Sequence, residues 1–318
     1  MADAPSPDAA PEEPPAAPCA ADDLLELLPS WHRDMLNDGA SPLTLKTYGQ
    51  SVRTLAAHLA ALDDPPATME DITREHIKDW LTAMREAGLK ESTRSTKFAN
   101  CRAFFNWLVA EDELPASPMD GVKQPSVKDQ PVPVVAREGV LAMLDGCDNT
   151  YEGRRDEAII RSFADGGMRV GELTKLTVDD VDMEQQVFWV HGKGGRKRAV
   201  PFGAKTARAV DRYLRARRRH PKARTTDRLF LSRVGPISVD RVEKMIAQRA
   251  EAAGLGHLYP HQLRHTAAHQ LRLAGMNDQD MKRIFGWRSS RMLERYGASA
   301  ADERAREAHR RLSFGDQL

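Results

Sequence analysis

The sequence predicts a mainly α-helical protein with a small antiparallel β-sheet, an α+β fold in two domains. Its 318 residues are enough for two domains of ordinary size, each with its own core. Apolar residues recur at intervals of three and four over the first third of the chain, which is typical of amphipathic helices. Near the middle, two short β-type runs flank a glycine-rich turn, as expected for a β-hairpin.

Residues 1–20 are rich in alanine, proline and acidic residues and contain no aromatic residue. Such a segment buries too little apolar surface to offset the entropy lost on ordering. We therefore predict a disordered acidic tail.

Residues 21–114 predict a small domain of four helices. The first contains the apolar residues around Trp31, and Ser41 followed by proline begins the second. Thr73 is the expected cap of a third helix, which Gly88 ends, and the fourth begins near Ser92. No strand pattern interrupts these helices.

Residues 115–133 contain five prolines among mostly polar residues. Proline cannot continue a helix, so this segment predicts an extended linker. The second domain is then expected over residues 134–318. Its predicted helices span residues 138–144, 155–163, 205–219 and 239–252, and its predicted strands span residues 187–190, 198–202 and 229–231.

The net charge of +1 hides an uneven distribution of charge. Residues 191–224 contain thirteen lysines and arginines and a single acidic residue, Asp211. A basic stripe of this kind favours a polyanionic partner, although a solvated helix face gives the same composition. The cations expected to contact DNA are Lys46, Arg53, Arg94, Lys97 and Arg102 in the helical domain and Arg196, Lys197 and Arg198 in the hairpin.

Three widely spaced cysteines give neither a disulfide framework nor a zinc-binding spacing. No apolar run approaches the ~20 residues that span a bilayer, and no signal peptide is evident. We expect a cytoplasmic protein without a metal or other cofactor.

Six residues along the second domain have side chains suited to phosphoryl transfer: Arg169, Lys193, His261, Arg264, Trp287 and Tyr296. Arginines can hold the non-bridging oxygens of a phosphodiester, and a tyrosine oxygen can attack phosphorus. A lysine can protonate the leaving oxygen, a histidine can relay a proton, and an indole N–H can donate to a phosphate oxygen. Each residue alone also has an ordinary explanation in a cap, a flexible turn or a core.

The order and spacing of these residues resemble those of the tyrosine recombinases, the phage-integrase type of site-specific recombinase. Gly-Met-Arg169-x-x-Glu172-Leu is similar to the first arginine motif of the family, and the hairpin Gly-Lys193-Gly follows at the usual interval. His261-x-Leu-Arg264-His265 is similar to its second motif. Tyr296 lies nine residues after Trp287, in the position of the family's nucleophile.

The resemblance implies an N-terminal SAM-like core-binding domain and a C-terminal domain that breaks and rejoins DNA. Tyr296 would form a 3′-phosphotyrosyl bond, and Glu172 and His265 would support the catalytic set. Four protomers on two inverted-repeat core sites would exchange strands through a Holliday junction without ATP. A partner recombinase or a directionality factor could take part in the reaction. Many members have histidine where this chain has Trp287.

Two other functions remain open on the sequence. A type IB topoisomerase shares the same chemistry and relaxes DNA without a specific site. A DNA-binding accessory protein that has lost catalysis would keep the domains, although the full set of catalytic residue types argues against it.

Overall fold

The structure, a computed structural model, describes residues 19–127, 133–192 and 197–287, with residues 305–306, 309–310, 313 and 315–317 further on. The chain divides into two compact units, residues 1–128 and 129–318. Helices form most of the described chain, with one three-stranded and one two-stranded antiparallel sheet. The predicted fold class is confirmed.

The N-terminal unit contains the four predicted helices. They are α1 (Ala20–Asn37), α2 (Pro42–Ala60), α3 (Arg74–Glu86) and α4 (Glu91–Ala110). The Ser41 hydroxyl accepts a hydrogen bond from the Thr44 N–H at 3.1 Å and begins α2, and Thr73 caps α3. These side chains satisfy N–H groups that have no partner inside the helix, which is why the helices start there.

Aromatic residues fill the core between these helices. Trp31, Phe104 and Phe105 are buried, and the rings of Trp31 and Phe104 lie 4.9 Å apart. Helix α1 already begins within the segment predicted as tail, because Ala20 is buried and its N–H donates to the Pro66 carbonyl. Residues 1–18 lie outside the described part.

The predicted linker begins too early. After α4 the chain continues to pack on the N-terminal core through Leu114, Met119 and Val122. The Gln124 amide then donates to the Ser95 carbonyl at 3.2 Å. The prolines end the helix, but they do not prevent the apolar residues between them from being buried.

The C-terminal unit has seven helices among its described residues. They are α5 (Arg137–Asp145), α6 (Tyr151–Gly166), α7 (Val170–Leu173), α8 (Ala204–Arg217), α9 (Val239–Ala252), α10 (Pro260–Leu273) and α11 (Asp278–Phe285). Asp156 on α6 accepts hydrogen bonds from Arg155 and from Arg249 on α9, each at 2.7 Å, and this buried network joins the two helices. No described helix is long and apolar enough to cross a membrane.

Strands β1 (Val181–Asp182), β2 (Val187–His191) and β3 (Lys197–Pro201) form an antiparallel sheet in that order. The predicted hairpin is confirmed, with Val190 opposite Arg198. Strand β4 (Leu231–Ser232) lies slightly later than predicted and pairs with β5 (Gly235–Pro236). The core of the unit lies where Phe188 and Val200 of the sheet pack with Phe163 of α6.

Helix α6 ends at Gly167, which adopts a left-handed conformation with φ of 52°. A side chain at this position would overlap the ring of Phe285, the last residue of α11. Both the dihedral angle and the close approach require glycine here. The end of α6 is therefore fitted against the end of α11.

We predict that Gly167→Ala lowers the free energy of unfolding by about 2–5 kcal/mol, from left-handed strain and from overpacking against Phe285. Urea or thermal unfolding of the full chain measures this loss. The matched control is Gly171→Ala, because Gly171 lies in α7 with no atom within 4 Å of an added Cβ and no positive φ. Equal stability of the two variants would contradict this account of Gly167.

Candidate active site

The first predicted arginine lies at the beginning of a short helix. Arg169 is the N-cap residue of α7, directly after the turn formed by Gly167 and the buried Met168. Its side chain is 49% exposed. The guanidinium is therefore accessible to a ligand that approaches from solvent.

The second predicted arginine, Arg264, lies in the first turns of α10 and is only 2% exposed. Its Nη1 donates to the Gly167 carbonyl and its Nη2 donates to the Phe285 carbonyl, the latter at 2.7 Å. The guanidinium carbon lies 5.1 Å from the centre of the Phe285 ring and 5.8 Å from that of Trp287. Arg264 thereby joins α10, the turn before Arg169 and the end of α11.

The two histidines of the second motif lie on one face of α10, one turn apart. His261 is exposed and His265 is buried, and their rings meet edge to face with centres 4.5 Å apart. His261 precedes Arg264 by one helical turn, so both belong to the N-terminal end of the helix. The position of His261 fits a group that exchanges protons near the arginines.

Trp287, a predicted site residue, also packs in the interior of the unit. It is buried and stacks on Phe285, with ring centres 4.7 Å apart. Together with Met281 and residues of α10 it forms a small apolar cluster under the site. Substitution of this tryptophan therefore affects both packing and any polar role of its indole.

Glu172 connects Arg169 to the hairpin. Its Oε2 accepts from the Arg169 backbone N–H at 2.8 Å, and its Oε1 accepts from Arg169 Nη1 at 2.9 Å. Burial acts to raise the pKa of this carboxyl, but hydrogen bonds and charges from Arg198 and Arg169 outweigh burial and hold the pKa below its ordinary value. Glu172 is consequently ionised near neutral pH.

Arg198 does not have the environment expected of a DNA-contacting residue. Its side chain is 15% exposed, and its guanidinium binds Glu172 and the Ile284 carbonyl. Strand alternation in the sequence could have revealed this environment. Arg198 and the buried Val200 are two residues apart on β3, so their side chains share the inner face.

The remaining predicted residues are dispersed or lie outside the described part. Lys193, Arg196 and Tyr296 all fall outside it. Lys46 and Arg53 are exposed on the same face of α2, two turns apart, whereas Lys97 on α4 donates to the Thr54 hydroxyl at 2.8 Å. Three more predicted positions complete the set: Arg94, Arg102 and Lys197.

Two of these last three cations lie over aromatic rings. Arg102 lies over the Phe98 ring at 4.6 Å, and Lys197 lies over the Trp189 ring at 5.0 Å. Arg94 has a buried Nε without a hydrogen-bond partner. Within the described ranges, no group of three or more His, Cys, Asp or Glu side chains is arranged to hold a metal ion.

Two family models match the chain. The phage integrase family matches residues 134–303, and the phage integrase N-terminal SAM-like domain matches residues 29–112. Tyrosine recombinase XerC of Corynebacterium efficiens is 30% identical over 276 residues, covering 86% of each protein. Tyrosine recombinase XerC of Pelobacter propionicus is 28% identical, covering 80% of this chain and 84% of the relative.

Solved structures have the same fold at low identity. The XerH site-specific recombinase bound to a palindromic difH substrate matches with a TM-score of 0.72 and 17% identity, over 92% of this chain and 84% of that one. The Tn1549 transposon integrase in complex with transposon right end DNA matches with a TM-score of 0.71 and 21% identity, over 91% and 99%. With the family match over both domains and the arginine motifs joined at one turn, the chain belongs to the phage integrase family of tyrosine recombinases.

Proposed function

We propose that this enzyme recombines DNA at specific sites by cutting and rejoining strands through a 3′-phosphotyrosyl intermediate. The chain is a tyrosine recombinase, and enzymes of this family cleave and rejoin DNA. The observation that carries the proposal is the hydrogen bond from Arg264 to the Gly167 carbonyl, two residues before Arg169. It holds the two arginines of the separate motifs at one turn.

In the proposed mechanism, Arg169 and Arg264 bind the non-bridging oxygens of the scissile phosphate and stabilise the charge that develops on them. The Tyr296 oxygen attacks phosphorus while His261 accepts the tyrosine proton. The bond from phosphorus to the 5′ oxygen breaks as Lys193 donates a proton to that oxygen. One phosphoester bond replaces another, so rejoining needs no ATP.

The wider assembly is inferred from the family to which the chain belongs. We propose that the substrate is duplex DNA with inverted-repeat core sites, on which four protomers exchange strands through a Holliday junction in the cytoplasm. The λ integrase has been solved as a tetramer bound to a Holliday junction, and it matches this fold with a TM-score of 0.67 and 16% identity. A partner recombinase or a directionality factor would act on this assembly.

The DNA surface of the helical domain is proposed to include Lys46 and Arg53 of α2 and the cations of α4. Phosphate contacts of this kind set affinity and its salt dependence but carry no direct sequence information. The target sequence has to be found by experiment. We suggest selecting bound duplexes from a pool of inverted repeats with randomised arms.

The two alternative functions are not favoured by the family match and the relatives, which are recombinases. Plasmid relaxation distinguishes them. A type IB topoisomerase relaxes supercoiled DNA without a specific site, whereas a recombinase needs paired target sites. An inactive accessory protein binds the selected duplex without forming a covalent product.

We predict that Tyr296→Phe binds the selected duplex with wild-type affinity but forms no covalent adduct on a nicked suicide substrate. The substitution removes the attacking oxygen and keeps the ring. Adducts are resolved by denaturing gel electrophoresis, and binding is measured by gel shift. A covalent adduct formed by the variant would show that another residue is the nucleophile.

Arg169→Ala is predicted to slow cleavage by about 10²–10³-fold, as expected for removal of one preorganised donor to a developing anion. Arg264→Ala should slow cleavage at least as much and also lower stability, because the carbonyls of Gly167 and Phe285 lose their charged donor. Single-turnover rates and melting temperatures separate the two effects. The Arg169 side chain is half-exposed, so its loss should disturb the fold little. Cleavage by Arg169→Ala at the wild-type rate would therefore rule out a phosphate-binding role for Arg169.

Trp287→Phe is predicted to slow cleavage roughly tenfold, the effect of losing one hydrogen bond of ~1.5 kcal/mol to a charged oxygen. Phenylalanine keeps an aromatic ring next to Phe285 and Arg264, so the melting temperature should change little. Trp287→Leu is the control for packing, since it removes both ring and N–H. Unchanged cleavage kinetics in Trp287→Phe would leave this residue with a packing role alone.

A further inference from the structure

We propose that Arg198 is a positioning residue that keeps the positive charge of Arg169 available for the scissile phosphate. It does so by binding the Glu172 carboxylate and by fixing that carboxylate to the end of α11. This inference rests on the proposed function and assigns Arg198 to the active site instead of the DNA surface.

The guanidinium of Arg198 makes three hydrogen bonds with two partners. Nη1 donates to Glu172 Oε1 at 3.0 Å, and Nη2 donates to Glu172 Oε2 at 2.8 Å. Nε donates to the Ile284 carbonyl at 2.9 Å. A planar fork that binds both carboxylate oxygens fixes the orientation of both groups, which lysine cannot do.

The same carboxylate serves Arg169. Each oxygen of Glu172 accepts one hydrogen bond from Arg198 and one from Arg169, through the side chain at Oε1 and through the backbone N–H at Oε2. Glu172 thus lies between an exposed arginine and a partly buried one. The side chains of Glu172 and Arg198 are 11% and 15% exposed, so their attraction is only weakly screened by solvent.

The charge balance of these three residues gives Arg198 its function. Two guanidinium groups and one carboxylate leave the trio with a net positive charge. Without Arg198, Glu172 would neutralise Arg169, and the trio would carry no net charge towards a phosphate. Glu172 alone could hold Arg169 in place only by cancelling the charge that the reaction needs.

Local packing keeps Arg198 in this position. Gly286, which ends α11 with φ of 63°, lies against it, and an added Cβ would approach the guanidinium carbon to 3.1 Å. Val190 faces Arg198 across the hairpin. Most of the hydrogen-bonding capacity of Arg198 is therefore directed inward.

The test compares Arg198→Met with wild type in single-turnover cleavage of the selected nicked duplex at saturating protein. We expect cleavage to slow by about 10–100-fold, somewhat less than loss of a direct donor, with less than a threefold change in Kd. A large rise in Kd, together with a salt slope of binding that corresponds to about one phosphate contact fewer, would show that Arg198 contacts DNA directly and would contradict the proposal.

A charge-restoring double variant tests the electrostatic argument directly. Adding Glu172→Gln to Arg198→Met returns the net positive charge of the trio while removing the carboxylate. We expect the double variant to cleave at least several-fold faster than Arg198→Met. A double variant that is slower than Arg198→Met would overturn the proposed charge balance, since a purely structural role predicts additive losses.

A substrate with sulfur in place of the bridging 5′ oxygen separates Arg169 from Lys193. A thiolate leaves without a proton, so this substrate should restore cleavage by Lys193→Ala. It should not restore cleavage by Arg198→Met, because that defect lies in stabilising charge on the non-bridging oxygens. Restoration by sulfur would mean that Arg198 acts through the leaving group, which contradicts the proposal.

The matched control is Arg161→Met, which breaks an ion pair with Glu157 on α6 at 2.9 Å. We expect it to cleave within twofold of wild type. Arg198→Lys keeps the charge without the fork and should cleave faster than Arg198→Met, which keeps the proposal testable if the Met variant is unstable. Absence of any wild-type adduct overturns the proposed function, whereas a wild-type adduct with unchanged Arg198→Met and Arg198→Lys rates overturns this inference alone.

Discussion

The hydrogen bonds of Arg264 are the interaction on which the rest of the site depends. A buried guanidinium is costly unless its donors are satisfied. Here two of them are satisfied by backbone carbonyls, those of Gly167 and Phe285, which belong to segments more than a hundred residues apart in the chain. A carbonyl orients a guanidinium without cancelling its charge. In the proposed mechanism, the same bonds that stabilise the fold also orient this guanidinium for a phosphate.

Arg169 is oriented by a carboxylate instead of by carbonyls, and a carboxylate carries a negative charge. Glu172 orients Arg169 well, through two hydrogen bonds, but an anion also lowers the local potential. The second cation, Arg198, offsets that anion from the buried side. The outer arginine is thus oriented and still carries an uncompensated charge. Two different kinds of acceptor, backbone carbonyls for Arg264 and a carboxylate for Arg169, thus orient the two arginines.

Much of this fold was predictable, because local signals and tertiary packing agree. The cap at Thr73 and the apolar periodicity defined the helices, and the arginine motifs located the site. Two features of the structure were not predicted from the sequence. The residues after α4 were predicted as linker because prolines outweighed single apolar residues such as Val122. Arg198 was assigned to the DNA surface because its charge was given more weight than its position two residues before the apolar Val200 on the same strand. Its hydrogen bonds to Glu172 and to the Ile284 carbonyl join residues far apart in the chain, and these contacts the sequence does not display.

The candidate site lies at the C-terminal ends of α6 and α11, and the properties of helix ends give a reason for this. The last carbonyls of a helix have no partner within it, and the helix dipole makes that end attractive to cations. Helix α11 ends with carbonyls that accept from Arg198 and Arg264. Its terminal Gly286 packs against Arg198, while Gly167 at the end of α6 packs against Phe285. Gly167 is fitted to a side chain of α11 and Gly286 to a side chain of β3. A shift of either helix end would therefore disturb the hydrogen bonds of Arg264 or of Arg198. Backbone carbonyls at the ends of α6 and α11 therefore accept hydrogen bonds from Arg198 and Arg264, and in this way the termination of two helices orients cations of the proposed phosphate site.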